Sequence, residues 1–372
     1  MSSLMGSRVR TTQGIEPLAL SDISRDWGLD QSLLPVFQQD WWLEVVRGEG
    51  NYNEARVLKD GVLVGRLPYV IRRTKIGARW GGAPDCSHLG GPALSQSLSE
   101  EEKFDVVGQL IAELPAKVSF MFVCRTYADD AELIRRAFTR AGFNHFAETT
   151  YCQDPSQADV LGRLKRKHRS HYEAARRVLD VVELGEEEFI GFYSANLARA
   201  AVAAAFRLET ARALIAAGRT REPPQIRLVG ARRKAAGPLL EAAIACAWDE
   251  RRYYYWLSTR RGESHPNAIK LLIVNAMAHA QSLGLIFDTD GCWGSGSLTL
   301  YQDLLRMPKE EFRDVFERRT KFQNWYFSQQ QRLDRSRAVR YAKRKLQLVS
   351  SGWATRVNPL PRTASRDTRP PL

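Results

Sequence analysis

Two aspartates one residue apart, Asp288 and Asp290, close the apolar run Leu285, Ile286 and Phe287. Carboxylates leaving the end of a strand can accept a proton, although an Asp-Thr-Asp-Gly stretch can equally close a turn by capping backbone amides. Upstream, Arg260, Arg261, Gly262, Ser264, Asn267 and Ala268 surround Pro266. Proline has no amide hydrogen and fits the first turn of a helix, so the free amides there, beside two arginines, suit an anion such as phosphate. Tyr255, in the aromatic run 253–256, and Tyr301, past a glycine-rich stretch, are candidate proton donors. Packing in the core is the competing role for both.

Two further stretches carry candidates. Residues 76–95 are rich in glycine and proline and long for a plain connector, which makes His88 a candidate substrate contact as well as an ordinary loop histidine. Residues 160–179 hold Arg163, Lys165, Arg166, Lys167, Arg169, Arg176 and Arg177 against a single acid, Glu173. Like charges this dense repel unless something acidic relieves them. Arg166, Arg169 and His171 are therefore assigned to an anionic substrate, the alternative being a solvated helix whose long side chains cover a junction. The five cysteines are scattered and odd in number, against a disulfide framework and against zinc, and no metal site is expected. Cys292 follows the aspartates but has no histidine placed to activate it.

The elements that must hold these residues follow from periodicity. Residues 253–257 read as a strand, and Ile269, Leu272, Ile273, Ala276, Ala280 and Leu283 fall on one face of a helix that Gly284 can end. Residues 285–287 return as a strand. A strand, a helix and a neighbouring strand joined in this way make a right-handed crossover with parallel strands. In the first half, Asp60-Gly61 marks a hairpin between 55–58 and 61–72, with Pro68 implying an edge or a bulge. Helices at 100–114 and 129–142 alternate with strands at 118–124 and 143–152, which is an α/β pattern. Trp41 and Trp42 lie in a helix, more residues follow as helices at 186–202 and 207–217, and a strand at 226–231 leads to a hairpin at Gly237. Residues 308–333, with Phe312, Val315, Phe316, Phe322, Trp325 and Tyr326, read as helix.

Composition bounds the rest. At 372 residues and 44% hydrophobic content the chain can bury one large core or two moderate ones. The net charge of +13 is concentrated at the end, where residues 331–372 hold eleven Lys or Arg against two Asp, so most of the excess is a tail. No apolar run reaches membrane-spanning length and none near the start resembles a secretory signal, so a cytoplasmic protein is expected.

The run 237–291 resembles the core of the GNAT acyltransferase superfamily, and more closely its FemAB-like branch with two such units in tandem. The resemblance rests on the glycine turn into residues 239–244, the aromatic strand, the polar loop, the helix, and the strand that closes on Asp290-Gly291. Arg261-Gly262-Glu263-Ser264 matches the pyrophosphate loop of that superfamily in part. The resemblance implies mixed sheets flanked by helices, an arm at 1–34, units at 35–155 and 156–307, a helical basic extension at 308–348 and a disordered tail at 349–372. It implies direct transfer from an acyl-CoA such as acetyl-CoA to a small-molecule or peptide amine, with Asp288 or Asp290 as base and Tyr301 or Tyr255 as acid. Arg260, Arg261, Gly262, Ser264, Asn267 and Ala268 would hold the pyrophosphate. The alternatives are aminoacyl transfer from an aminoacyl-tRNA, with the basic helix and tail on phosphates, and a non-catalytic module binding acidic partners.

Overall fold

The computed structural model describes residues 28–291, apart from 49, 74–76, 125–129, 158, 202–203, 205, 236 and 238, together with 301, 309–321 and 323–325. The expected arm up to residue 27, the tail 349–372, Cys292 and most of the basic extension lie outside them. The first half holds α1 (Asp40–Arg47), β1 (Tyr52–Lys59), β2 (Val62–Arg73), β3 (Arg79–Gly82), β4 (Ala93–Leu94), α2 (Glu100–Ala112), β5 (Ser119–Cys124), α3 (Ala131–Arg140) and β6 (Asn144–Gln153). Next come α4 (Val160–Arg163), α5 (Arg166–Val178), β7 (Leu179–Glu183), α6 (Glu186–Arg199), α7 (Leu208–Arg219), β8 (Ile226–Arg233), β9 (Leu240–Trp248) and β10 (Arg252–Arg260). The chain closes with α8 (Ala268–Ser282), β11 (Ile286–Asp288) and β12 (Lys309–Arg318).

Among the described residues the strands form one mixed sheet in the order β1-β2-β3-β5-β12-β6-β11-β10-β9-β8-β7, with β4 on β2. Both faces of the second half are covered, so β9 alternates between two cores. Ala242, Ile244 and Cys246 pack under α8, whereas Ala243, Ala245 and Ala247 pack towards α1, α6 and α7. The expected crossover is present: β10 and β11 are parallel neighbours, α8 connects them, and Gly284 ends the helix at φ 71°. In the first half Phe120, Phe122 and Phe138 fill a third core with α2 and α3. The hairpin at Asp60-Gly61 has positive φ at both turn residues, the primed geometry that matches strand twist. Pro68 falls between the stretches of β2 that pair with β3 and with β4, so its missing amide leaves no ladder bond unmade on that side.

Two expectations need correction. The stretch 76–95 is not all loop, because it contributes β3 and β4. Glycine hides the first of these: a Cβ at Gly81 would lie 2.2 Å from the Phe120 ring, so only glycine lets β3 approach β5. The helix expected from 308 is, over residues 309–318, a strand antiparallel to both β5 and β6, with Val315 opposite Val123 and Phe146. The spacing of Phe312, Val315 and Phe316 imitates a helix. The unpaired backbone that β5 and β6 would otherwise present decides for a strand, whose ladder satisfies both.

The two phenylalanines of β12 should respond differently to truncation. Phe316 is fully buried and stacked on Phe138 at 4.3 Å, whereas Phe312 is 64% exposed. Phe316→Ala is expected to cost about 3–5 kcal/mol and Phe312→Ala less than about 1. Urea midpoints at constant slope measure both, and equal shifts would contradict the strand placement.

Candidate functional site

The seam between the halves is narrow. β11 pairs with β6 through Phe287 and Asp288, and with β10 only from Arg252 to Tyr254. Beyond Asp288 the chain bends towards β6: the Thr289 amide donates to the Tyr151 carbonyl at 3.0 Å and the Gly291 amide to Thr150 Oγ1 at 3.0 Å. β10 continues to Arg260, with a bulge between Tyr255 and Leu257 against β9. A wedge therefore opens between the two parallel strands, and among the described residues no strand pairs with β10 on that side beyond Tyr254.

On one face of the seam stands a chain of charged groups. Arg313 Nη1 of β12 donates to Asp290 Oδ1 at 2.7 Å, and its Nη2 donates to Glu148 Oε2 of β6 at 3.0 Å. The other oxygen of Asp290 meets His88 Nδ1. A carboxylate only accepts, so Nδ1 carries a proton, and in the neutral ring the lone pair is then on Nε2. Ser87, His88, Asp290 and Arg313 line a cavity of about 280 Å³. Three aromatic side chains help to hold the loop that carries His88. Phe37 stacks on the imidazole at 5.6 Å, Trp42 Nε1 donates to Ser87 Oγ and Trp256 Nε1 donates to the Cys86 carbonyl, each at 2.9 Å. Burial raises the Glu148 carboxyl above its ordinary range; Arg313 opposes the rise, and Asp290 and Asp288 add to it.

The two aspartates divide their roles. Asp288 is fully buried, accepts from Thr150 Oγ1 at 2.6 Å and from the Asp290 amide at 2.9 Å, and lies 3.6 Å from Arg252 Nη1. It holds the turn that presents Asp290, whose φ of 58° lies in the left-handed region.

Tyr255 and Tyr301 come together with ring centroids 6.4 Å apart, but on the α8 face, away from His88. Burial pushes the Tyr255 phenol well above its ordinary value, so it keeps its proton. At the mouth of α8 the loop amides are already engaged. Arg261 N donates to the Glu241 carbonyl, Ser264 N to the Arg261 carbonyl, Asn267 N to His265 Nδ1 and Ala268 N to the His265 carbonyl, at 2.9–3.2 Å. The carboxylate of Glu241 accepts from the His265 amide at 2.5 Å and from Arg233 Nε at 2.7 Å. Burial works against its charge, but these bonds, with Arg233 and Arg261 close by, hold it below the usual carboxylate range. Arg260 and Gly262 are exposed at this mouth.

Helix α5 lies beside α8. Arg166 and Arg169 point to solvent, and Arg169 Nη2 donates to the Gly162 carbonyl at 2.7 Å. His171 instead turns inward with His168, and both Nδ1 atoms accept from the buried Lys270 Nζ, at 3.2 and 3.0 Å. Burial, then Lys270 and Lys167, hold His171 below its ordinary value. Of the expected site residues, the structure thus joins His88 with Asp290, Tyr255 with Tyr301, and His171 with the α8 mouth.

Sequence reasoning missed Arg313, Glu148, Glu241 and Lys270. Arg313 lay in a stretch read as helix, and Glu148 was one polar residue in a polar strand. Lys270 had a signal, a lone cation inside the apolar run from Ile269 to Val274. Cys86, Cys124, Cys152 and Cys246 are buried thiols outside any disulfide among the described residues. Among the described residues, no three His, Cys, Asp or Glu side chains are grouped to hold a metal ion, and no helix is long and apolar enough to cross a membrane.

No family model and no curated protein matches the sequence. Solved structures do. FemX aligns over 78% of this chain and 94% of its own, with TM-score 0.53 and 12% identity. The C-terminal domain of a putative lysylphosphatidylglycerol synthetase from Agrobacterium fabrum aligns over 74% and 87%, with TM-score 0.50 and 15% identity. A conserved protein from Bacteroides thetaiotaomicron aligns over 78% and 93%, with TM-score 0.50 and 10% identity. At such identities the likeness is one of fold: this chain has the fold of FemX, the FemAB-like form of the GNAT architecture that its sequence resembles.

Proposed function

We propose that the protein is an acyltransferase that moves an acyl group directly from an activated donor to an amine. The observation that carries this reading is the wedge between β10 and β11 with the His88–Asp290 pair at its mouth. An acyl carbonyl placed in the wedge would meet backbone amides of β10 beyond Tyr254, which suit the negative charge that develops on its oxygen. His88 Nε2 takes a proton from the acceptor amine, and Asp290 balances the imidazolium that forms. The amine nitrogen bonds to the carbonyl carbon, the bond to the donor breaks, and Tyr255 or Tyr301 supplies the proton that the leaving atom needs.

Two donors suit this site. Acyl-CoA is supported by Arg260 and Arg261 at the α8 mouth. Aminoacyl-tRNA is favoured by a separate observation: the Glu241 carboxylate already occupies the His265 amide at the mouth where a pyrophosphate would sit, while α5 presents Arg166, Lys167 and Arg169 outward next to that mouth.

A thermal-shift series with acetyl-CoA, longer acyl-CoAs and tRNA decides the donor, because a ligand of the folded state raises the melting temperature with occupancy. A tRNA response that falls steeply as salt rises supports aminoacyl transfer, and an acyl-CoA response indifferent to moderate salt supports the other donor. Silence from all three would sink the proposal. With the active donor, His88→Ala should lower kcat by roughly 10²–10⁴-fold at an unchanged melting temperature. A fully active variant would remove His88 from the chemistry. Arg166→Ala with Arg169→Ala should weaken tRNA binding and flatten its salt dependence, while leaving acyl-CoA binding untouched; the reverse pattern would exclude α5 from the tRNA site.

A further inference from the structure

We infer that Arg313 is the positioning residue of the His88–Asp290 pair, so that the C-terminal strand β12 completes the site. The acyl-transfer reading supplies what the pair does; how the pair is held stands on geometry alone.

Asp290 has two oxygens and two partners. Arg313 takes Oδ1, which leaves Oδ2 for His88 Nδ1. The guanidinium is itself fixed twice. Its residue sits directly across from Glu148 in the β12–β6 ladder, and its second nitrogen bonds that carboxylate. A planar fork sets its donors in fixed directions, one for each carboxylate; an ammonium can also donate to two groups, but its donors turn freely and fix neither direction. Arg313 is 1% exposed and belongs to a strand paired on both edges, so the fork is held by the sheet. With Oδ1 occupied, Asp290 cannot turn both oxygens towards solvent, and His88 is kept in the tautomer whose Nε2 is bare.

Among the described residues, the charges that face His88 are those of Asp290 and, behind it, Arg313; Glu148, Asp288 and Arg252 lie beyond, and Phe37 and Ser87 are its other neighbours. Without the guanidinium, two carboxylates would act on the imidazole unopposed and favour its protonated form.

The test is nitrogen NMR of the histidine rings in the full chain, which has six histidines, with His88 assigned by its loss in His88→Gln. In the unaltered protein His88 should show a protonated Nδ1 and a bare Nε2 above its titration. Arg313→Met should raise its titration midpoint by about half a pH unit or more and mix the two tautomers. Arg313→Lys restores the charge without the fork, so the midpoint should return towards that of the unaltered protein while the tautomers stay mixed. An unchanged tautomer and midpoint in folded Arg313→Met overturn the inference. If that variant does not accumulate folded, an unchanged tautomer in Arg313→Lys overturns it equally. None of these readings needs turnover, so a protein inactive with every donor would defeat the functional proposal and leave this one standing.

Discussion

A guanidinium sealed inside a sheet must be answered by carboxylates, and much of this molecule's centre is arranged around that requirement. Removing an ion from water costs several kcal/mol even after relaxation, so Arg313 is tolerable only with Asp290 and Glu148 in place. Arg252, on β10 three strands along the sheet, repeats the pattern, 2.6 Å from Glu311 and 3.6 Å from Asp288. The acids come from β6, β11, β12 and the turn after β11, the bases from β10 and β12. The seam where the two halves meet is thus ionic, while the three main cores around it are apolar. Such a seam specifies register, because a one-residue slip of β12 would turn Arg313 to the opposite face and strand both carboxylates.

What was legible in the sequence had local causes. Pro266 at the entrance to α8, Gly284 beyond its end and the aromatic run of β10 each carry a physical reason readable from one stretch of chain. The crossover, and with it the fold, followed from these. His88 stood out because a glycine- and proline-rich segment of that length needs a reason to exist. Its partner was named as well, but as one of two equivalent aspartates; only the bend towards β6 separates Asp288, which ties a turn, from Asp290, which meets the imidazole. Arg313 was illegible because its role depends on strands about 160 residues earlier in the chain, and its neighbours Phe312 and Phe316 have a spacing that serves helix and strand alike.

The α8 mouth shows how one side chain can change what the start of a helix attracts. The helix dipole and the arginines favour an anion there. Glu241, buried in β9, already provides one. Any phosphate arriving at this loop meets a resident negative charge, so its binding must draw on the cations around the mouth, Arg260 and Arg261 in the loop and Arg166, Lys167 and Arg169 on α5 beside it. Lys270, clasped by His168 and His171, joins α5 to α8 and keeps those cations beside the mouth.

The order in which a ribosome delivers this chain runs against the order of its sheet. β5 and β6 leave the exit tunnel early, yet the strand that lies between them, β12, is among the last described segments to be made. Until it arrives, the first half has a slot with two unsatisfied edges, and the partner of Glu148 is missing. Closure of the N-terminal half must therefore wait for β12, and until then the nascent protein must keep that slot from pairing with a neighbour's strand.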